Sequence, residues 1–375
     1  MNREKLERFI HSFYRGEGRL QWNLWNYVDG CAVVAAVQLW EASGQELFRE
    51  YILRYADHFV MQDGKILSYR PEEFRLDDIL PGRALLFAHG ETGEEKYPAA
   101  LRCLMAQLEG QPRTASGNYW HKRIYPNQVW LDGLYMAQPF RAEYAARFGG
   151  GEAYEDICAQ FTRVREWMRD PVSGLYYHGF DESRSVFWAD RISGLSRNFW
   201  LRAIGWYLMG IADTVEALPV EEDSRRQRLG KIYEEALEGL MKYQDGDTGL
   251  FYQVVDHPEM AGEGNYLETS GSAMTAASIF KACRLGISGA RKYEAAAGKI
   301  LTFLIDERIV EKGGKTVLTG TCSVAGLGPE PGRRDGSIAY YLSEPVADND
   351  NKGIAALFMA YAQYLLLHRR DTSAG

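Results

Sequence analysis

Residues 128–140 read QVWLDGLYMAQPF, and Asp132 is the one charged side chain in the run, crowded by Trp130, Leu131, Leu134, Tyr135 and Phe140. A carboxylate in apolar surroundings loses its hydration, and its proton affinity rises until it is neutral or paired. A carboxyl that stays protonated near neutral pH is a proton donor, so Asp132 is the first candidate for general acid/base chemistry. A helix cap or a buried, hydrogen-bonded structural acid fits the same spacing.

Further groups with chemical potential lie on either side. Asp77 and Asp78 precede Pro81 and could add a second carboxylate or simply cap the helix that follows. His121 and Lys122 stand together in a loop, where a solvated role is the alternative. Arg202 and Trp206 are four apart and share one helix face; the alternatives are an Arg satisfied by a loop carbonyl and a core Trp. Arg83, Arg113, Trp120, Gln128, Trp130, Tyr176, His178, Trp188, Arg191 and Trp200 fall in the same stretches, whereas His11, His58 and His368 lie on expected helices as surface residues. There is no HExxH, no DxDxDG loop and no paired Cys/His spacing, and DGDTG at 245–249 reads as a turn, so no metal is expected. No GxGxxG or P-loop opens a helix, and no cofactor is expected either.

Positioning these groups requires a scaffold, and the periodicity is helical almost throughout. Twelve helices are expected, at about 3–15, 30–43, 45–61, 82–92, 94–110, 127–148, 151–169, 197–217, 222–243, 269–285, 289–306 and 351–368. They alternate between amphipathic helices with a charged face, such as FREYILRYADHF, and helices apolar all round, such as CAVVAAVQLW and SAMTAASIFKA. A helix apolar on every side is buried on every side. Six inner helices wrapped by six outer ones, an all-α (α/α)6 barrel formed by residues 1–375 as one domain, satisfies that alternation. Connections from inner to outer helices are short turns (ASGQE, ETGEEK, FGGGEA, LGISGAR), while those entering inner helices are long: 62–81, 111–126, 170–196, 244–268 and 307–350. All long loops then gather at one end, beside the N-termini of the inner helices, where unpaired N–H groups favour an anion. The candidate residues converge on that mouth.

Composition narrows the ligand. Nine Trp, 23 Tyr and 16 Phe suit a sugar-binding cleft, and a net charge of −8 without a basic stripe argues against nucleic acid. No run of about 20 apolar residues spans a membrane. The N-terminus is charged from its third residue and lacks the apolar core of a secretory signal, and the five cysteines are scattered, so a cytoplasmic protein with reduced thiols is expected.

The stretch QPRTASGNYWHKRIYPNQVWLDGLYMAQPF resembles the central motif of the unsaturated rhamnogalacturonyl hydrolases, glycoside hydrolase family 105. RLDDILPGR, NFWLRAIGWYLMGIADTVEALP, YLETSGSAMTAASIFKA, CSVAGLG and RDGSIAYYLSEPVADNDNKG follow the family pattern in order, from about 74 to 354. The resemblance implies an (α/α)6 barrel, Asp132 as catalytic acid/base, and Asp77 or Asp78 as its acidic partner, with Asp77 favoured on register. It also implies substrate contacts at His121, Lys122, His178, Trp200, Arg202 and Trp206, with Trp130 and Asp78 nearby. The implied substrate is an anionic unsaturated disaccharide or short oligosaccharide left by a pectin lyase, taken up by a monomer or weak homodimer. Its C4=C5 double bond is a vinyl ether that one carboxyl group can hydrate, first as acid and then as base. The separation rule for two-carboxylate glycosidases does not govern that reaction. Three alternatives remain: an unsaturated glucuronyl hydrolase acting on glycosaminoglycan fragments, a sugar epimerase using a histidine pair, and a non-catalytic sugar-binding barrel.

Overall fold

The computed structural model describes residues 1–16 and 22–369. Six inner helices, α2 (Tyr27–Ser43), α4 (Gly82–Thr92), α6 (Leu131–Phe148), α8 (Leu201–Ala217), α10 (Thr269–Arg284) and α13 (Asn351–Leu367), pack side by side in that order, and α13 closes the ring on α2. Outside them lie α1 (Arg3–Arg15), α3 (Glu46–Phe59), α5 (Lys96–Gly110), α7 (Ala153–Met168), α9 (Asp223–Met241) and α11 (Glu294–Phe303). The twelve expected helices are all present. A thirteenth, α12 (Ile338–Ser343), is a short insertion within the last long loop. Among the described residues no helix is long and apolar enough to cross a membrane.

Small residues let the inner ring close tightly. Every residue of α10 from Thr269 to Cys283 is buried. A Cβ at Gly271 would stand 2.5 Å from Leu201 Cγ, and one at Gly210 would stand 3.2 Å from the Tyr135 Cα. Such contacts replace side-chain volume by close backbone approach, which is why Gly, Ala, Ser and Thr crowd helices that would otherwise carry Leu.

The mouth is less purely helical than its periodicity predicts. Among the described residues eight short strands form four antiparallel pairs: β1 (Gln128–Trp130) with β2 (Gly179–Asp181), β3 (Phe251–Tyr252) with β4 (Leu267–Glu268), β5 (Ile309–Lys312) with β6 (Lys315–Leu318), and β7 (Thr321–Cys322) with β8 (Val346–Ala347). One device recurs at three helix entrances. The first amide of an inner helix donates to a carbonyl of the following long loop: Leu131 N to His178 O (3.2 Å), Leu201 N to Gln253 O (3.0 Å) and Thr269 N to Gly320 O (2.9 Å). Each bond satisfies an orphan helix-terminal donor and pins a loop residue beside the helix entrance. Segments of two to four residues carry too little alternation to be read as strands, and the expected helices 127–148 and 197–217 therefore begin a few residues late, at Leu131 and Leu201.

Candidate active site

Asp132 is the second residue of α6, and the strand before it decides its neighbours. In the β1–β2 ladder Trp130 pairs with Gly179, so His178 arrives directly beside the helix entrance. Gly179 is required there, because a Cβ would lie 2.5 Å from Leu327 Cδ1. His178 Nε2 lies 3.4 Å from Asp132 Oδ2, and its Nδ1 lies 2.8 Å from the Tyr341 hydroxyl. Burial holds Tyr341 well above the usual phenol range, so its hydroxyl keeps its proton and can donate to Nδ1. The imidazole proton then sits on Nε2, facing Asp132. His178 is fully buried while the Asp132 side chain keeps 14% of its surface, so the carboxyl is the member of the pair that reaches the opening. Asp132 Oδ2 is buried without a well-formed hydrogen bond, the His178 contact being too long for one.

The second acid arrives by a different route. At 11 residues α4 is the shortest inner helix, and the space above it holds a 3-10 turn, Leu76–Asp78. That turn is tied down by Leu76 N to His121 O (3.1 Å), and the His121 strand by His121 N to Gln128 O (2.9 Å). Asp77 meets Lys122 Nζ at 2.5 Å and His121 Nε2 at 3.6 Å. Burial pushes the Asp77 carboxyl up, but Lys122, His121 and Arg75 outweigh it and hold the group below the usual carboxylate range. Burial pulls His121 down to about 4 against the attraction of Asp77. At pH 7 His121 is therefore neutral, its contact with Asp77 is no ion pair, and Lys122 is the effective counter-charge.

Asp78 does not join this group. Its carboxylate turns to Arg75 (3.6 Å), leaving Oδ1 buried without a partner, and burial followed by the Asp77 charge pushes it up to about 7. Neither acid caps α4, whose cap position is Pro81 without a side-chain bond. Asp78, expected as a substrate contact, is directed to Arg75 in this structure, whereas Asp77 lies with Lys122 and His121.

Trp130 forms the wall between the two acids. His121 and Tyr125 stack on it at 4.4 and 4.8 Å yet lie only 6.3 Å apart, so both cover the same face, and His178 meets it edge-on at 5.5 Å. The glycine after Asp132 is forced by this packing, since a Cβ at Gly133 would stand 2.9 Å from Leu76 Cδ1 and 3.1 Å from His121 Nδ1.

Arg202 lies beneath, bonded to the Cys322 carbonyl and to Ser270 Oγ (3.2 Å), its guanidinium 4.8 Å from the Trp200 ring centre. Burial opposes its charge, but Cys322, Glu268 and Tyr27 outweigh burial and keep it a cation. Trp200 and Trp206, expected as flat faces for sugars, are only 1% and 2% exposed. Trp200 packs against His178 at 4.7 Å, and Trp206 stacks on Tyr135 at 4.7 Å inside the ring. These positions correct that expectation: both tryptophans support the site from behind. Arg83 and Arg113 are likewise drawn away, to Asp213 (2.6 Å) and Asp156 (2.8 Å). Arg83 borders a cavity of about 720 Å³ at the opposite end, among the last turns of α6, α8 and α10, away from both acids.

Two tyrosines were missed by sequence reasoning. Tyr27 opens α2, and its phenol, raised first by burial and then by Asp77, feels Arg202 and Asp132 as well. The signal was available: Asn26 accepts from the Asp29 amide at 3.0 Å, an N-cap that starts the helix three residues before its apolar run. Tyr341 sits on α12, which has too few residues to show a period. Among the described residues no group of three or more His, Cys, Asp or Glu side chains is placed to hold a metal ion.

The sequence matches the family described as Glycosyl Hydrolase Family 88 over residues 4–368. A solved glycoside hydrolase from family 105 of C. acetobutylicum ATCC 824 superposes with a TM-score of 0.90 at 37% identity, covering 96% of this chain and 99% of that one. A 24.9 kDa protein in the picA locus of Rhizobium radiobacter is 41% identical over 239 residues, 62% of this chain and all of the relative. The unsaturated rhamnogalacturonyl hydrolase YesR of Bacillus subtilis (strain 168) is 26% identical over 278 residues, 72% of this chain and 75% of the relative.

Proposed function

Because the chain belongs to glycosyl hydrolase family 88, we propose that it hydrolyses unsaturated galacturonyl-rhamnose oligosaccharides by hydrating the C4=C5 double bond, with Asp132 as the one acid and base. The observation that carries this reading is the Asp132–His178 pair: a carboxyl at the entrance of an inner helix, with one oxygen lacking a good hydrogen bond and its neighbour locked by Tyr341. The likeness to YesR favours rhamnose as the released sugar. An epimerase, the alternative that needs two histidines free to act on a ring carbon, fits poorly, because His121 packs on Trp130 and His178 is held by Tyr341.

In the first step the alkene's electron pair takes the Asp132 proton at C4. This leaves positive charge shared between C5 and the ring oxygen. Asp77, kept ionised by Lys122, supplies a fixed negative charge near that centre. Water then bonds to C5 through oxygen and returns a proton to the Asp132 carboxylate, so the acid is regenerated. The hemiketal opens to a ketone at C5, and the hemiacetal left at C1 collapses to an aldehyde, releasing the aglycone hydroxyl. One water is consumed. The substrate carboxylate is drawn by Lys122 and the gathered helix N-termini, with the buried Arg202 adding positive charge from beneath.

The test is Asp132→Asn, with turnover followed through loss of the substrate's ultraviolet alkene absorption. Removing a positioned acid/base should cost about 100-fold or more in kcat. The melting temperature should hold, because this carboxyl has no well-formed hydrogen bond to lose. A variant with near wild-type kcat would take Asp132 out of the reaction.

A further inference from the structure

The loop 323–336, SVAGLGPEPGRRDG, runs along the flank of the mouth, and the reaction above uses none of it. Three bonds fix its path: Gly326 N to the Tyr340 hydroxyl (2.9 Å), Gly328 N to Arg334 O (2.9 Å) and Asn198 Nδ2 to Gly336 O (2.7 Å). A Cβ at Gly326 would lie 3.5 Å from Trp130 Cη2 and 3.6 Å from Arg334 Nη1, so guanidinium and indole border the same point of the loop. Arg334 has φ 57°, a left-handed conformation that costs a non-glycine residue energy and collects at ligand-binding positions. Its side chain is half-buried and its Nε is buried without a partner. Among the described residues neither a carboxylate nor a carbonyl takes its guanidinium, and the adjacent Asp335 is turned to Arg197 instead (3.7 Å). A partly desolvated, unpaired guanidinium is costly unless a ligand completes it, and its planar fork matches a carboxylate.

Its neighbours differ from those of the two acids. The cation Lys122 follows His121, which covers one face of Trp130, and Asp132 lies beside His178. Arg334 Nη1 and the outer edge of the Trp130 six-membered ring both border Gly326. The same loop borders an open groove of about 590 Å³ lined by Tyr177, Phe187, Ser196 and Arg197; a Cβ at Gly328 would be 3.7 Å from Phe187, and one at Gly336 would be 3.9 Å from Ser196.

We propose that Arg334 is a specificity-determining residue that binds the carboxylate of a second uronic acid, on the aglycone side of the bond that breaks. This rests on the hydrolase reading given above. The preferred substrate is then a chain that continues past the first rhamnose into another galacturonate.

The experiment compares the unsaturated galacturonyl-rhamnose disaccharide with the unsaturated tetrasaccharide carrying a second galacturonyl-rhamnose unit. Wild type and Arg334→Gln are run on both, with the tetrasaccharide also tested after its inner carboxyl is reduced to an alcohol. A charge-assisted bond implies that wild type favours the tetrasaccharide about tenfold or more in kcat/KM, mainly through KM. That preference should collapse in Arg334→Gln and, for wild type, on the reduced tetrasaccharide. Equal losses on both substrates, or no preference for the longer chain in wild type, would overturn the proposal. If wild type turns over neither sugar, the hydrolase reading falls, and the subsite with it.

Discussion

Lys122→Met isolates the electrostatic core of the site. Asp77 is 8% exposed and Lys122 17%, and they meet at 2.5 Å. Without the lysine, Asp77 keeps only the more distant Arg75 and a neutral His121 as partners. Removing one member of a buried pair costs about 3–5 kcal/mol, because the remaining charge stays buried and uncompensated. The residual Arg75 and the partial exposure of Lys122 place the loss near the lower end, about 3 kcal/mol. At roughly 2.1 cal/mol/K per residue, 375 residues give a melting entropy of about 0.8 kcal/mol/K, so the midpoint should fall by about 4 °C. The pH dependence is specific. In the wild type the folded Asp77 titrates below its unfolded value, so its contribution is present above about pH 4 and is lost as pH falls further. In the variant, burial is opposed only by the more distant Arg75, and the carboxylate destabilises the fold above that pH. The difference between the two proteins should therefore be full at pH 7 and close as pH drops through the carboxylate range. Calorimetric or fluorescence melts at pH 7 and pH 4 measure it, and Lys122→Met/Asp77→Asn should recover most of the loss. A variant that melts within 1 °C of wild type at pH 7, or a double variant no better than the single, would refute the reasoning.

Tyr341→Phe removes the bond that orients His178 (2.8 Å) and should lower kcat about tenfold with little change in KM, since one neutral hydrogen bond is worth about 1–1.5 kcal/mol; steady-state kinetics at pH 7 checks this. Asp78, pushed up to about 7 by burial, is neutral in the fold at acid pH and costs stability as pH rises from its unfolded value near 4 through 7. Asp78→Asn should thus stabilise the fold at pH 8 by on the order of 2 kcal/mol, raising the melting point by about 2–3 °C, and leave it unchanged at pH 4; an equal shift at both pH values would exclude the titration.

How much of this was legible beforehand depends on how many residues carry each signal. The ring of inner and outer helices is spelled out by long apolar and amphipathic runs, each repeating its period several times, and all twelve helices lie within a few residues of expectation. The direction of single side chains is set by far shorter features. Whether Asp77 or Asp78 faces Asp132 depends on one 3-10 turn tied to the His121 carbonyl, a bond between residues 45 apart in the chain. Trp206 shares a helix face with Arg202, yet the ring closes so tightly around small residues that it is sealed behind Tyr135, and Trp200, just before the helix, is sealed behind His178.

The residues that escaped sequence reasoning share a cause as well. Tyr27, Tyr341 and Arg334 lie at a helix start, in a six-residue helix and in a glycine-rich loop, where no periodicity marks a facing direction. Each becomes visible through an unmet or unusual demand in the folded chain. Tyr341 stands against a histidine beside the acid, Tyr27 lies between charges of both signs, and Arg334 keeps a cation that no acid nearby satisfies. Leaving a buried polar atom without a partner costs free energy that a ligand can return, and Asp132 Oδ2 and Arg334 Nε are among the atoms so left. On that argument Asp132 and Arg334 belong to one binding surface, the first where a proton is transferred and the second where the rest of the chain is read.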